Sequence, residues 1–534
     1  MRNYKINKFF TGIGSWRLME MRKLQERSFS FGALRLQQVV SANMEDTVRT
    51  DEEWMNAKDF NTMPGPTRIQ LLMDYFPGGK LHNANLIDMH TILHSTYGDI
   101  FRIKGMLGKP DYVFTYNAND VEHVYRNEGV WPIRLGLDSF TYYRKVKRPD
   151  IFQGIGGLVS EQGKMWADIR NKVNPILMKV QNVRQNLPQI DEIANEFLIK
   201  LEALRDPETN MLSNNFHDEL KMWAFESISL IALNTRMGLL SESPDVNAHK
   251  LAKNMSDMFQ YSYEYDVTPS FWKYVETPGF KRLIRTYENI TEITISYIEA
   301  AMKRFEAEGN KEAISVLEKL CRLDKKIAIV MVMDMLMAGI DTTSSAFVTT
   351  LYLLSKNQSK QDCLREELYK ILPQPHMPLT EANTKQMPYL RACIKESLRI
   401  TPITPGNLRM AAKNLVLSGY RVPKGTGVLM GIMALSNSEE YYSRSAEFLP
   451  ERWLKSGENA CPMAKSTNAF TYLPFGFGPR TCIGKRIAEM EIETLLARLI
   501  RNYRITWNSK QDLKYISNIV LLPHGNLDFK FEQI

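Results

Sequence analysis

The stretch Phe475–Arg486 reads FGFGPRTCIGKR. It places Cys482 behind Gly476 and Gly478 and two residues ahead of Gly484, surroundings that an ordinary buried thiol does not need. Helical periodicity begins directly afterwards, in GKRIAEMEIETLLARLIRNY, with Ile487, Met490, Leu495 and Leu499 on one stripe. Cys482 therefore precedes a helix, where unpaired amides and the macrodipole favour negative charge. The thiolate is the form of cysteine that ligates metal. Glycines let the backbone approach a flat ligand, Phe475 offers an aromatic face, and Arg480 can pair with an acidic substituent. Taken together the run fits a haem iron held by sulfur. A strand-to-helix turn with an inert thiol is the plainer reading of any shorter piece.

Outside this loop, composition sets the bounds. A chain of 534 residues, 44% hydrophobic and 24% charged, has the make-up of a globular protein with a substantial core. Cys321, Cys363, Cys393, Cys461 and Cys482 are odd in number and scattered, which argues for a reducing compartment and against a disulfide framework. None has the spacing of a zinc knuckle, so no zinc site is expected. The first 44 residues hold eight Arg and Lys against two Glu, six of the eight net positive charges of the chain. Phe9, Phe10, Trp16, Leu18, Met21 and Leu24 lie among those charges, and Ser28 and Ser30 follow. A basic, acid-poor, amphipathic start has the look of a mitochondrial transit peptide; a solvated basic tail or nucleic-acid arm is the alternative. The remainder is close to neutral, so no nucleic-acid partner is expected. No run of about 20 apolar residues stands out, and no spanning helix is expected.

Residues 45–534 read as one mainly α domain with a minor β-rich region. After the turn MPGPT (Met63–Thr67), DIFRIKG and DYVFTY are strand-like. Long helical patterns follow, the longest from Lys326 to Lys356 without a proline. Beyond Arg399, AAKNLVLSGYRVPKGTGVLMGIMAL reads as a small sheet with turns at Gly419 and Gly425.

Phe475, Gly478, Arg480, Cys482 and Gly484 fill F-x-x-G-x-R-x-C-x-G, and the chain thereby resembles the cytochrome P450 family over about 470 residues. The resemblance implies that family's haem-thiolate fold, with haem b ligated by Cys482. It also implies roles for other segments. In AGIDTT (Ala338–Thr343), Asp341 and Thr342 resemble the acid–alcohol pair that relays protons to dioxygen at a locally widened helix. A helix break capped by Asp341, with Thr342 bonded back to a carbonyl, is the structural alternative. In KMWADIR, Trp166 and Arg170 resemble a propionate-binding pair, and Arg409 looks like the contact from a later strand. Glu396 and Arg399 of IKESLR, completed by Arg452 of FLPERW, resemble the family's buried fold-holding triad, which is not catalytic.

Arg391 and Lys395, with Lys485 and Arg486, resemble the basic positions by which mitochondrial members bind a small acidic 2Fe–2S ferredoxin. The chain looks most like animal, in particular insect, mitochondrial members. That implies a monooxygenase acting on an apolar, steroid-like or xenobiotic molecule with dioxygen. Electrons would come from NADPH through ferredoxin reductase and ferredoxin, on the matrix side of the inner mitochondrial membrane with peripheral attachment. A haem-thiolate isomerase or peroxygenase, or a non-catalytic ligand sensor, are the competing readings.

Overall fold

The computed structural model describes residues 52–106, 108–135, 137–212, 216–242, 245–308, 315–454 and 468–534. The transit segment expected over residues 1–44 and Cys461 lie outside them. Two compact units divide the chain: residues up to Thr62 with Gly419–Arg421, and Met63–Ser418 with Val422–Ile534. In the first, Lys58 donates its backbone N–H to Gly419 O at 2.9 Å, and Arg421 reaches the carbonyls of Trp54 and Met55.

The second unit carries the site and is mostly helical. Its helices of twelve residues or more are α1 (Leu86–Tyr97), α2 (Gly163–Leu177), α3 (Leu187–Leu204), α4 (Phe216–Leu233) and α5 (Val246–Ser262). They continue with α6 (Pro278–Glu308), α7 (Lys325–Lys356), α8 (Gln358–Ile371), α9 (Pro388–Ile400) and α10 (Lys485–Asn502). Helix α7 runs where the sequence places its longest helical pattern. Asp324 caps it by accepting from the Lys326 amide. Its apolar residues go all the way round because it is enclosed, the pattern expected of a core helix. An 18-residue stretch of α7 has a mean hydropathy of 1.5, enough by composition for a membrane span, contrary to the expectation from sequence; 78% of it is buried inside the fold, which accounts for that composition.

Helix α4 lies along α7, with Trp223 and Phe347 ring centroids 5.3 Å apart. Gly339 permits this closeness: a Cβ there would stand 2.9 Å from Ile228 Cγ1. Helix α7 is continuous α through Ala338–Thr343 rather than locally widened.

The β-rich part forms a four-stranded sheet of β1 (Ile100–Ile103), β2 (Tyr112–Thr115), β4 (Gly427–Met430) and β3 (Asn407–Met410), in that spatial order. β1 and β2 are antiparallel, β2 and β4 parallel, and β3 and β4 antiparallel with Arg409 opposite Val428. This register delivers Arg409 to the buried side of the sheet, where it is 2% exposed.

Candidate functional site

The cysteine loop is closed by its own backbone. The Cys482 amide donates to Phe475 O at 2.9 Å and the Thr481 amide to Gly478 O at 3.1 Å. Two of its residues, Gly476 and Gly478, have φ near +72° and +73°, a left-handed conformation that a side chain disfavours. Gly484 is the N-cap of α10, so the sulfur stands at the start of that helix. Cys482 is exposed, but what it is exposed to is an interior cavity of about 340 Å³ between the loop, α7, α2 and β3. Ala338, Gly339 and Thr342 of α7 form part of the opposite wall.

Burial raises the pKa of the Cys482 thiol. The amides of Gly484 and Lys485 and the charges of Arg170 and Arg134 pull it down without reversing that. The helix start thus reduces, but does not abolish, the cost of a thiolate here. A bound cation would complete the deprotonation.

Four guanidiniums converge beside the loop. Arg480 donates to Pro132 O at 2.7 Å, to Glu161 O at 2.7 Å and to Gln162 Oε1 at 2.8 Å, and stacks 4.3 Å over the Trp166 ring. Arg170 donates to Thr481 O at 2.8 Å. Arg409 donates to Glu128 Oε2 at 2.6 Å. Arg134, which the sequence reading did not single out, also lines the cavity. Burial and mutual repulsion lower Arg134 to about 10 and Arg480 to about 9. Glu128 is the carboxylate paired within this group, and Nε of Arg170 and Nη1 of Arg480 are buried without a partner among the described residues. What such a cluster lacks is negative charge. The two carboxylates of a haem fit it, next to a sulfur positioned for the iron.

The expected residues are not all brought together. Trp166, Arg170, Arg409, Phe475, Arg480, Cys482, Gly484 and Thr342 line the cavity. Gly478 does not: a Cβ there would overlap Glu128 Oε1, so its missing side chain accommodates that carboxylate rather than a flat ligand. Asp341 also does not; it is buried on another side of α7, where Ser256 Oγ of α5 donates to it at 3.1 Å and Lys221 of α4 stands 3.5 Å away. Burial raises its pKa and Lys221 opposes the rise. Thr342 donates to Ala338 O at 2.6 Å, the back-bonded geometry of the structural alternative, while remaining on the cavity wall.

Glu396 is the hub of the expected triad. It accepts from Arg399 Nε at 3.0 Å and Nη2 at 2.8 Å, from Arg452 Nε at 3.1 Å and from Trp453 Nε1 at 2.8 Å. Arg391, Lys395, Lys485 and Arg486 share a groove of about 360 Å³ with Phe475 and Gly476, on the outer side of the cysteine loop. Two acidic residues of α10 temper that groove. Glu493 pairs with Arg391 at 2.8 Å, and Glu489 lies 3.9 Å from Lys485.

Comparison with known proteins agrees with this geometry. The family model described as Cytochrome P450 matches residues 63–531. Cytochrome P450 12b1, mitochondrial, of Drosophila acanthoptera is 62% identical over 481 residues, covering 89% of this chain and 90% of the relative. Probable cytochrome P450 12b2, mitochondrial, of Drosophila melanogaster is 60% identical, covering 91% of this chain and 92% of the relative. Cytochrome P450 CYP12A2 of Musca domestica is 44% identical, covering 92% and 94%.

Proposed function

The chain belongs to the cytochrome P450 family and is a haem-thiolate monooxygenase, and from that premise we propose how this chain works and on what. The group that this site would hold is haem b, and the Cys482 sulfur would ligate its iron. Trp166, Arg170, Arg409 and Arg480, joined by Arg134, hold its carboxylates. The observation that carries this reading is the Cys482 sulfur opening into the same cavity as an arginine cluster short of negative charge. When bound there, a thiolate-ligated haem supplies dioxygen activation, since the thiolate pushes electron density that favours O–O cleavage.

The surrounding residues bind and orient substrate and handle protons. Met331, Met335, Leu158 and Ile403 give the cavity walls that suit an apolar molecule, steroid-like or xenobiotic. Thr342 offers the cavity a hydroxyl, and Asp341 is the acid behind it, held by Lys221 and Ser256. Electrons arrive at the outer groove, where Arg391, Lys395, Lys485 and Arg486 suit a small acidic ferredoxin served by NADPH-dependent ferredoxin reductase. The names of the fly relatives and the basic segment 1–44 support a mitochondrial location, on the matrix side of the inner membrane. Ile69, Leu72, Met73 and Phe76 form an exposed apolar stripe that suits peripheral attachment there.

The test is a spectrum and a reconstitution. Reduced protein under carbon monoxide should show the Soret band of a thiolate ligand, and Cys482→Ala should lose it. Substrate-dependent NADPH consumption with a purified ferredoxin chain should yield a product carrying one oxygen atom from dioxygen. A protein that binds carbon monoxide yet consumes no NADPH with any apolar substrate would be a sensor, and the reading would fail.

A further inference from the structure

Glu128 stands where a carboxylate is least expected, inside a cluster otherwise suited to bind carboxylates. It is 4% exposed, its Oε2 is 2.6 Å from Arg409 Nε, and its Oε1 is buried with no partner among the described residues. Its position is fixed from three sides. Arg409 is itself anchored by donating to Leu408 O at 3.0 Å and by lying 5.0 Å from the Tyr125 ring centroid. Gly478 of the cysteine loop lacks the side chain that would displace Oε1. Helix Ala118–Arg126 ends just before it, so the carboxylate projects from a braced segment.

With Glu128 ionised, the four guanidiniums carry three uncompensated positive charges, and two ligand carboxylates would leave one. Without it those four guanidiniums would be left with two. A buried charge close to a redox centre acts in a poorly screened medium and shifts the balance between oxidised and reduced forms. Ferric haem carries one more positive charge than ferrous haem, so a nearby anion favours the ferric state.

We infer that Glu128 is the charge-setting residue of this pocket: it orients Arg409 and holds the haem iron at a lower reduction potential than the arginines alone would give. The inference rests on the haem assignment above. It makes Glu128 a positioning residue, acting through Arg409 and through its field.

The experiment uses full-length holoprotein and potentiometric titration with mediator dyes at pH 7.5. Wild type must first show the thiolate carbon monoxide band; without it the haem assignment itself fails and the question of Glu128 does not arise. Given that band, Glu128→Gln should raise the ferrous-to-ferric ratio at fixed potential about tenfold, equivalent to 59 mV for one electron. Glu128→Asp should stay near wild type, and Arg409→Gln should move the other way. A purely structural role would shift Glu128→Gln and Arg409→Gln in the same direction. That outcome, or an unchanged potential in Glu128→Gln, overturns the inference. Should Glu128→Gln fail to hold haem, the double variant E128Q/R409Q replaces the ion pair by two amides and leaves the net charge unaltered. It should return to the wild-type potential, and a double variant as low as Arg409→Gln alone overturns the inference equally.

Discussion

Among the buried charge clusters of the described residues, the one around Glu396 and the one around Glu128 differ in one respect. Around Glu396, two guanidiniums and an indole converge on one carboxylate, and Arg399 spends its remaining donors on Ser436 O and Ser445 O. Among the described residues, Glu396, Arg399 and Arg452 are not among those with a buried polar atom left unpartnered. Beside Glu128, which pairs with Arg409, stand three further guanidiniums, and each of Glu128, Arg170 and Arg480 has a buried polar atom unpartnered among the described residues. The first cluster is complete within the protein, and the second, on the function proposed above, is completed by what binds. Between these two clusters, satisfaction of polar atoms rather than burial marks the difference.

Breaking the complete cluster should cost most. Glu396→Gln leaves Arg399 and Arg452 buried without their anion, and removal of one partner of such a pair costs about 3–5 kcal/mol. Denaturation followed by intrinsic tryptophan fluorescence should show this loss in protein with and without haem alike. A variant as stable as wild type would mean that the cluster does not hold the fold.

Neutralising one member of the incomplete cluster should have the opposite pattern. Arg134→Met removes a charge that faces the cavity and, among the described residues, pairs with no carboxylate, so haem-free protein should keep or gain stability. Holoprotein should lose the haem more readily, by a factor of about 10 to 100, if a charge-assisted hydrogen bond of about 1.5–3 kcal/mol is lost. Haem transfer to a scavenging apoprotein measures it, and destabilisation of the haem-free form as severe as that of Glu396→Gln would contradict the comparison.

Alkaline pH sharpens the same point. Arg480 and Arg134 are lowered to about 9 and about 10 in the fold, so over that range the folded haem-free protein sheds protons that the unfolded chain keeps. Stability lost to these buried cations at neutral pH should thus begin to return once pH passes about 9 for Arg480 and about 10 for Arg134, and go on returning toward the ordinary guanidinium range. Haem carboxylates favour the charged forms, so haem affinity should fall over the same interval. Arg134→Met should flatten both slopes relative to wild type.

How much of this was legible in the sequence depends on how far each partner lies along the chain. Cys482, its glycines and α10 are adjacent in sequence, and α7 announces itself by length and composition, so both could be read directly. The Glu396–Arg399 pair is three residues apart on one helix. Glu128 and Arg409 are 281 positions apart, and their pairing exists only because β3 faces the end of helix Ala118–Arg126. Nothing local distinguishes Arg134 from Arg144, which instead pairs with Asp334 at 2.7 Å. Asp341 was legible as a residue but not as a direction: Lys221 and Ser256, 120 and 85 positions earlier, turn it away from the cavity.

The outer groove is a third kind of cluster, part compensated and part exposed, and the smallest effects belong there. Arg391 donates to Glu493 at 2.8 Å through Nε and at 3.1 Å through Nη2, with the arginine side chain 30% exposed. Exposed or half-exposed pairs contribute about 0–1 kcal/mol, so Glu493→Gln should leave stability nearly unchanged. Its consequence lies in recognition. Arg391, released from its internal anion, becomes available to an acidic surface, and charges at the rim of an interface act chiefly on association rate. Binding of a purified 2Fe–2S ferredoxin should strengthen by about two- to fivefold at low salt, with a steeper decline as salt rises over the range where the Debye length contracts to about 10 Å. Arg391→Gln should weaken it and flatten that dependence. Equal binding by all three proteins across salt would place the docking surface elsewhere, while leaving the contrast between the two buried clusters intact.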